Sequence, residues 1–147
     1  MIIGIDPDAI KSGVCFYKGD RDFDLKSLSF FELVDVIREN PNWIYCLEDV
    51  ERNKPVFARG VNAKAMAKIG QNVGQVKQTA RLLKQAVEAY ANTKPIMVRP
   101  GVGKPYKKNA ELFNKASGWA GRSNEDTRDA WAIAVAGQTT CRLNISR

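Results

Sequence analysis

Short apolar runs separated by turn-forming residues predict the strands of this chain, starting at its first residues. The run Ile2 to Ile5 predicts a buried first strand. Val14 to Tyr17 predicts a second strand after the turn that begins at Asp6, and a weaker third strand is expected near Phe23 to Leu28. Three early strands joined by tight turns are therefore expected at the start of the fold.

The pattern then changes to helical spacing. Ser29 to about Glu39 predicts a short helix that Pro41 ends. Its apolar positions, three or four apart, are Phe30, Leu33, Val34 and Ile37. Trp43 to Leu47 predicts a fourth strand, and Glu51 to about Gly60 predicts a loop.

A long helix is predicted from Asn62, a plausible N-cap, to about Tyr90. An apolar seam runs along it at alternating spacings of three and four: Met66, Ile69, Val73, Val76, Ala80, Leu83, Val87 and Tyr90. Such a seam packs against a sheet more often than in a coiled coil, and its length leaves room for part of it to meet a second subunit. Gly70 and Gly74 would let a neighbour approach closely, at a cost in helix propensity.

The last third of the chain predicts one more strand and two helices. Pro95 to Val98 predicts a fifth strand, and Pro100 to Asn109 predicts a flexible basic loop. Helices are expected from about Ala110 to Ser117 and from about Asn124 to Gln138. The order of elements predicts an α/β fold, a five-stranded mixed sheet flanked by helices.

Composition limits the size of the fold and the kind of metal site it can hold. The 147 residues, 44% of them hydrophobic, predict one domain over 1–147. The chain begins directly on a strand pattern and has no run long enough to span a membrane, so we expect a cytoplasmic protein, from a bacterium or a phage-infected cell. The scattered Cys15, Cys46 and Cys141 predict reduced packing residues. Because the chain has no His, a metal site must use oxygen ligands, which favours Mg²⁺ or Mn²⁺.

Charge is distributed unevenly along the chain. Arg52 to Arg122 contains 15 lysines and arginines against two acids, a net charge of +13, whereas the remaining residues carry −6. Most Lys and Arg on a long helix form a solvated face. An excess of one sign over so long a segment nevertheless favours binding to nucleic acid, and membrane-surface binding is less expected because the basic residues are not confined to one short amphipathic segment.

Four acids fall where a metal site would need them. Asp126 and Asp129 are three residues apart at the start of the last helix, on one face of its first turn. Capping and the helix dipole explain most such pairs. Asp6 and Glu48, however, each follow a predicted buried strand, where an unpaired carboxylate is costly and a cation would compensate its charge.

Four segments together resemble the RuvC-type Holliday-junction resolvases of the ribonuclease-H-like superfamily. They are IIGIDPDAIKSGV, CLEDV, KIGQNVGQV and DTRDAWAIA, which occur here in the family's order and touch most of the chain. The resemblance implies a ribonuclease-H-like fold. It also implies that Asp6, Glu48, Asp126 and Asp129 are catalytic and bind two divalent ions, Mg²⁺ or Mn²⁺, for hydrolysis of a phosphodiester.

The resemblance implies a partner and an assembly as well. The expected substrate is branched DNA, above all a four-way junction that is cut by paired, symmetric nicks, with no small-molecule cofactor. Two symmetric cuts require two active sites, so a homodimer is expected, with the long helix as its interface. The candidate DNA contacts are Arg59, Lys64, Lys68, Lys104, Lys107 and Lys108.

This sequence departs from the family in three places. Asp8 stands where the family commonly has Gly, which adds a negative charge near the site or forms an Asx-type turn. The loop after Glu48 is longer, and Phe57 is offered as the aromatic residue that probes the junction. Some relatives have a His near the last acid. Here proton transfer would fall to water on the metal or to a lysine such as Lys104, Lys107 or Lys108.

Other function classes stay open from sequence. The closest is a ribonuclease H-like nuclease that cuts RNA–DNA hybrids, which uses a similar acidic site and can work as a monomer. A non-catalytic nucleic-acid-binding module would keep the basic surface without needing the acids. An actin-like phosphotransferase would use the turn after Asp6 for ATP, but that architecture needs a second such domain.

Overall fold

The computed structural model describes residues 1–53 and 60–145, with the side chains of 144 and 145 left undescribed. Its centre is a five-stranded mixed sheet in the order β3-β2-β1-β4-β5. The strands are β1 (Ile2–Asp6), β2 (Ser12–Gly19), β3 (Asp22–Leu28), β4 (Ile44–Glu48) and β5 (Ile96–Val98). The first three strands form an antiparallel meander, and β4 and β5 extend the sheet on the other side of β1 as parallel strands. The predicted fold class is confirmed.

The described residues form five helices beside the sheet: α1 (Phe30–Glu39), α2 (Ala63–Tyr90), α3 (Lys104–Lys107), α4 (Ala110–Ser117) and α5 (Glu125–Ile145). A 3₁₀ turn covers Val50–Arg52. Ser29 and Glu32 cap α1 reciprocally, and the Asn62 side chain accepts the Ala65 N–H at the start of α2, which confirms the N-cap predicted there.

The sheet separates two layers of helices. One face packs on α1 and the C-terminal half of α2, through Leu33 and Ile37 of α1 and Leu83 of α2. The other face packs on α5, through Ala130, Ile133 and Ala134. Since side chains alternate along a strand, β1 and β4 each contribute residues to both layers. The position of a residue in its strand decides which helices it faces.

Two glycines in the strands let α5 lie directly on the sheet. A Cβ on Gly4 of β1 would overlap the backbone at Ala130, and a Cβ on Gly13 of β2 would overlap the backbone at Asp126. Asp6 is the register partner of Gly13. The glycines therefore bring the first turn of α5 down onto the end of β1, next to Asp6.

Three sequence predictions need correction. The basic segment 100–109 is not a loop throughout, because it contains α3, whose end is closed by hydrogen bonds from the Tyr106 and Lys107 N–H groups to the Gly103 carbonyl. The last helix continues to Ile145, beyond the predicted end. The apolar seam of α2 enters the core only in its C-terminal half, and Val73 is 40% exposed.

The remaining packing agrees with the sequence. Cys15 and Cys46 are buried free thiols, and Cys141 is a free thiol in α5. None of the helices in the described part of the chain is long and apolar enough to cross a membrane.

Candidate active site

Asp6 and Glu48 lie at the same edge and on the same face of the sheet. β1 and β4 are parallel and register Ile5 with Leu47, so Asp6 and Glu48 follow one position later on neighbouring strands. Ile5 and Leu47 point into the α1 and α2 layer. By alternation the two acids point to the α5 side.

The start of α5 supplies the other two acids to this edge. Asn124 and Thr127 cap the helix reciprocally: the Asn124 side chain accepts the Thr127 N–H at 2.8 Å, and the Thr127 hydroxyl accepts the Asn124 N–H at 2.9 Å. Asp126 and Asp129 follow on the first turns, where Asp129 is buried and Asp126 is half-buried. With Gly13 against Asp126, the helix start lies over the end of β1.

Only one of the two carboxylate oxygens of Asp129 has a hydrogen-bond partner among the described residues. The Lys107 ammonium, on α3, donates to Asp129 Oδ2 at 2.7 Å. Asp129 Oδ1 is buried and has no hydrogen-bond partner among the described residues. Gly103 lies directly against this carboxylate, and a Cβ there would overlap Oδ1. A buried carboxylate oxygen without a donor is a favourable ligand for a cation.

The acids perturb one another. Burial raises the pKa of Asp6 to about 8, with further increases from the charges of Glu48, Asp129 and Asp126, which the positive charge of Lys107 opposes. Burial also raises the pKa of Glu48, against a hydrogen bond from the Gly101 backbone. Asp6 therefore keeps its proton to a higher pH than an exposed carboxyl group does, and a further positive charge at the site would release it.

Asp8 adds to this negative field. Burial raises the pKa of Asp126, and the charge of Asp8 is the next contribution. The turn itself is bridged by a hydrogen bond from the Asp8 N–H to the Ser12 hydroxyl, at 3.1 Å. Asp8 was expected either to add a negative charge near the site or to form an Asx-type turn. Of these two interpretations, the added charge is the one that affects the site, through the pKa of Asp126.

Lys107 is charged here in spite of its position. Partial burial lowers its pKa, but the hydrogen bond to Asp129 and the charges of Asp129, Asp6 and Asp126 outweigh that effect, so the pKa is raised overall. The ammonium is thus a fixed positive charge among the acids.

The fold brings all four acids to one edge of the sheet, but not around one point. In residues 1–53 and 60–145, no three His, Cys, Asp or Glu side chains gather tightly enough to hold a metal ion by themselves. Two neighbouring acids have ion-pair partners of their own: Asp49 pairs with Arg52 at 3.0 Å, and Glu51 pairs with Arg81 at 2.6 Å.

The candidate DNA contacts divide into three groups. Lys107 belongs to the acidic site, while Lys104 and Lys108 are exposed on either side of it in the chain. Lys64 and Lys68 are exposed on one face of α2, along a shallow groove that Gln71, Asn72 and Gln75 also line. Arg59 and Phe57 lie outside the described residues.

Sequence reasoning missed three participants. The Gly101 N–H and the close packing of Gly103 support Glu48 and Asp129 respectively. The third is Arg128, a buried residue that lies between Asp126 and Asp129 in the sequence. The sequence shows the Pro-Gly-Val-Gly run and an Arg between the two acids of the last helix. Neither pattern indicates which residues they contact in the fold.

Comparison with known proteins agrees with this geometry at the level of fold. RuvC from Thermus thermophilus in complex with a Holliday junction substrate superimposes with a TM-score of 0.57 and 15% sequence identity, over 97% of this chain and 95% of that one. The chain has the RuvC fold. A second Thermus thermophilus RuvC structure gives a TM-score of 0.52 at 14% identity, over 97% of this chain and 96% of that one. No protein-family model and no curated protein matches the sequence.

Proposed function

We propose that this protein is a metal-dependent endonuclease that resolves four-way DNA junctions by paired, symmetric nicks. The observation that carries the proposal is the convergence of Asp6, Glu48, Asp126 and Asp129 on one edge of a RuvC fold. These are the acids of the motifs that resemble RuvC-type resolvases, and one solved neighbour was bound to a Holliday junction.

The residues fit divalent cations with oxygen ligands. The free Asp129 Oδ1 is buried at the site, and the other donors there are carboxylates, the ligand type of Mg²⁺ and Mn²⁺. Asp6, Glu48, Asp126 and Asp129 would hold the ions. Two such ions, when bound, activate the attacking water and stabilise the leaving oxygen of an in-line displacement.

The side chains around them have separate tasks. Asp6 must lose its proton to serve as a ligand, and its raised pKa makes that step depend on pH. Lys107 reaches the same edge with a positive charge and can hold a phosphate oxygen of the cleaved strand.

DNA binding is assigned to the basic surface around this edge. Lys104 and Lys108 flank the site, and Lys64 and Lys68 extend the positive surface along α2. Arg81 and Lys84 pair with Glu51 and Glu88, so they contribute less. Contacts of this kind hold phosphates rather than read bases, so affinity for DNA should fall steeply as salt rises.

We further propose that the N-terminal half of α2 pairs with the same helix of a second copy. Met66, Ile69 and Val76 are only partly buried, and Val73 is 40% exposed, although all four continue the seam that is buried farther along. Gly70 and Gly74 interrupt the helix at a cost of about 1 kcal/mol each relative to Ala. No described atom lies within 4 Å of where their Cβ atoms would be, so packing within the chain does not explain them.

Val73→Asp is expected to convert the dimer into monomers. An isologous interface carries the new charge twice, and an unpaired buried charge costs about 3 kcal/mol or more, so the dissociation constant should rise at least about 10³-fold. Sedimentation equilibrium measures this. Gln75→Asp, on the opposite side of the helix, is the matched control and should leave the dimer intact. Equal behaviour of the two variants would exclude this interface.

A substrate panel tests the nuclease proposal. The protein is incubated with a four-way junction, a fork, a linear duplex and an RNA–DNA hybrid, each labelled on every strand, with Mg²⁺ or Mn²⁺. We expect nicks at symmetric positions near the branch point of the junction and little cutting of the duplex. Cleavage of the hybrid alone would replace the proposal by a ribonuclease H activity, and binding without cleavage would indicate a non-catalytic module.

A further inference from the structure

Arg128 carries a buried positive charge, and pairing with the acids of the site does not account for its burial. It is 7% exposed and lies on the second turn of α5, next to Asp129. Within the described residues it forms no ion pair with a carboxylate. A buried guanidinium without a counter-charge is costly unless its N–H groups all find acceptors.

Its acceptors are backbone and hydroxyl oxygens on two segments. Nε donates to the Tyr106 carbonyl at 3.1 Å and to the Lys107 carbonyl at 3.0 Å, and Nη2 donates to the Lys107 carbonyl at 2.5 Å. Nη1 donates to the Ser123 carbonyl at 3.2 Å and to its hydroxyl at 3.1 Å. The planar fork thus joins the end of α3 to the residues that precede α5.

The Lys107 carbonyl needs such a donor. It is at the C-terminus of a four-residue helix, where carbonyl groups have no partner within the helix, whereas the Tyr106 carbonyl also accepts the Asn109 N–H at 3.0 Å. Arg128 supplies one from a neighbouring element. Consecutive residues of α5 therefore hold the same lysine: Arg128 binds its carbonyl, and Asp129 binds its ammonium.

We propose that Arg128 is a positioning residue, which fixes α3 on α5 and so presents the Lys107 ammonium to the phosphate of the cleaved strand. The proposal rests on the nuclease function proposed above. Arg128 acts through Lys107 and does not touch DNA. A lysine on a four-residue helix in an otherwise irregular basic segment would sample many orientations without this bond.

A second contact allows the role to be tested without unfolding the segment. The Tyr106 ring packs edge-on against Trp131 of α5, with ring centroids 5.4 Å apart, and lies 6.5 Å from Phe113 of α4. Arg128→Gln leaves these contacts in place. We therefore expect α3 to stay near α5 in this variant but to lose its fixed orientation.

Hydrogen exchange measures that loss directly. In Arg128→Gln the amide groups of Lys104, Tyr106 and Lys107, which donate to the Gly101 and Gly103 carbonyls, should exchange at least about tenfold faster, whereas β1 and the middle of α5 should be unchanged. Arg38→Gln, which removes one positive charge from α1, is the control. Unchanged exchange in 104–107, or faster exchange throughout α5, would overturn the proposal. This readout needs no nuclease activity, so it is independent of the proposed function.

A double-mutant cycle tests the link to Lys107. Arg128→Gln should lower kcat on a four-way junction by about 10 to 100-fold with little change in KM, as expected for loss of an outer-shell partner. In a Lys107→Gln background the same change should have almost no further effect. Arg128→Lys keeps the charge but not the fork and should restore little activity. Equal, additive effects in the two backgrounds would show that Arg128 does not act through Lys107.

Discussion

Replacing Asp6 by Asn is expected to lower the rate of junction cleavage by about 10³-fold or more, while the affinity for the junction stays within about threefold. The size follows from what the carboxylate supports, since one preorganised charge-stabilising group is worth about 10² to 10³ in kcat and Asp6 would help to hold the ions that activate the water and stabilise the leaving oxygen. The amide keeps the shape of the side chain and fits the same buried position.

Single-turnover cleavage and a gel-shift assay, both in Mg²⁺, separate the two quantities. Asp49→Asn is the matched control: Asp49 follows Glu48 directly but its carboxylate pairs with Arg52, so its loss should change the rate by no more than about twofold. Asp126→Asn and Asp129→Asn should resemble Asp6→Asn. A fully active Asp6→Asn variant would remove the acidic edge from the mechanism.

The second large effect is on stability in EDTA. As pH rises from about 4 to 8, wild-type protein should lose stability relative to Asp6→Asn, reaching roughly 3 to 5 kcal/mol near pH 8. In the unfolded chain Asp6 ionises near its ordinary pKa of 3.8, whereas in the folded protein its pKa is raised to about 8. Between these values the folded state binds the additional proton, so each increase in pH favours unfolding. Urea denaturation at several pH values measures the difference between the two proteins.

Divalent metal should reverse this trend. Because a carboxylate ligand must be deprotonated, the increase in melting temperature that Mn²⁺ gives should grow between pH 6 and 8 in wild type and should be small in Asp6→Asn. Asp49→Asn again serves as the control and should behave as wild type. Identical pH profiles for wild type and Asp6→Asn would show that burial does not perturb Asp6 in the folded protein.

Much of the fold could be predicted because the local signals agreed with the tertiary packing. The apolar run before Asp6 and the one before Glu48 became neighbouring parallel strands, and Asn62 capped α2 where the sequence indicated. The prediction of secondary structure failed where contacts with distant residues outweigh the local sequence pattern. The basic segment appeared irregular, yet its middle forms α3 because Arg128 and Trp131 of α5 hold it.

The candidate site was predictable in its acids but not in its cations. The sequence singled out Lys104, Lys107 and Lys108 together, and only the fold places Lys107 on Asp129 while Lys104 and Lys108 face solvent. Strand ends and a helix start located the acids, but a sequence pattern could not give the partners of a long side chain on a helix, such as Lys107.

The sequence by itself determined the order of elements and the four acids at strand ends and a helix start, and it gave the expectation of oxygen ligands for a metal site, which follows from having no His. Each of these is a local property, set by hydrophobic period, capping or composition. Only the tertiary structure decided that Gly4 and Gly13 bring α5 onto β1, that Asp6 is buried with a raised pKa, and that Arg128 and Asp129 together hold Lys107. These depend on contacts between residues distant in the chain, and their energies come from burial and geometry that no segment has alone.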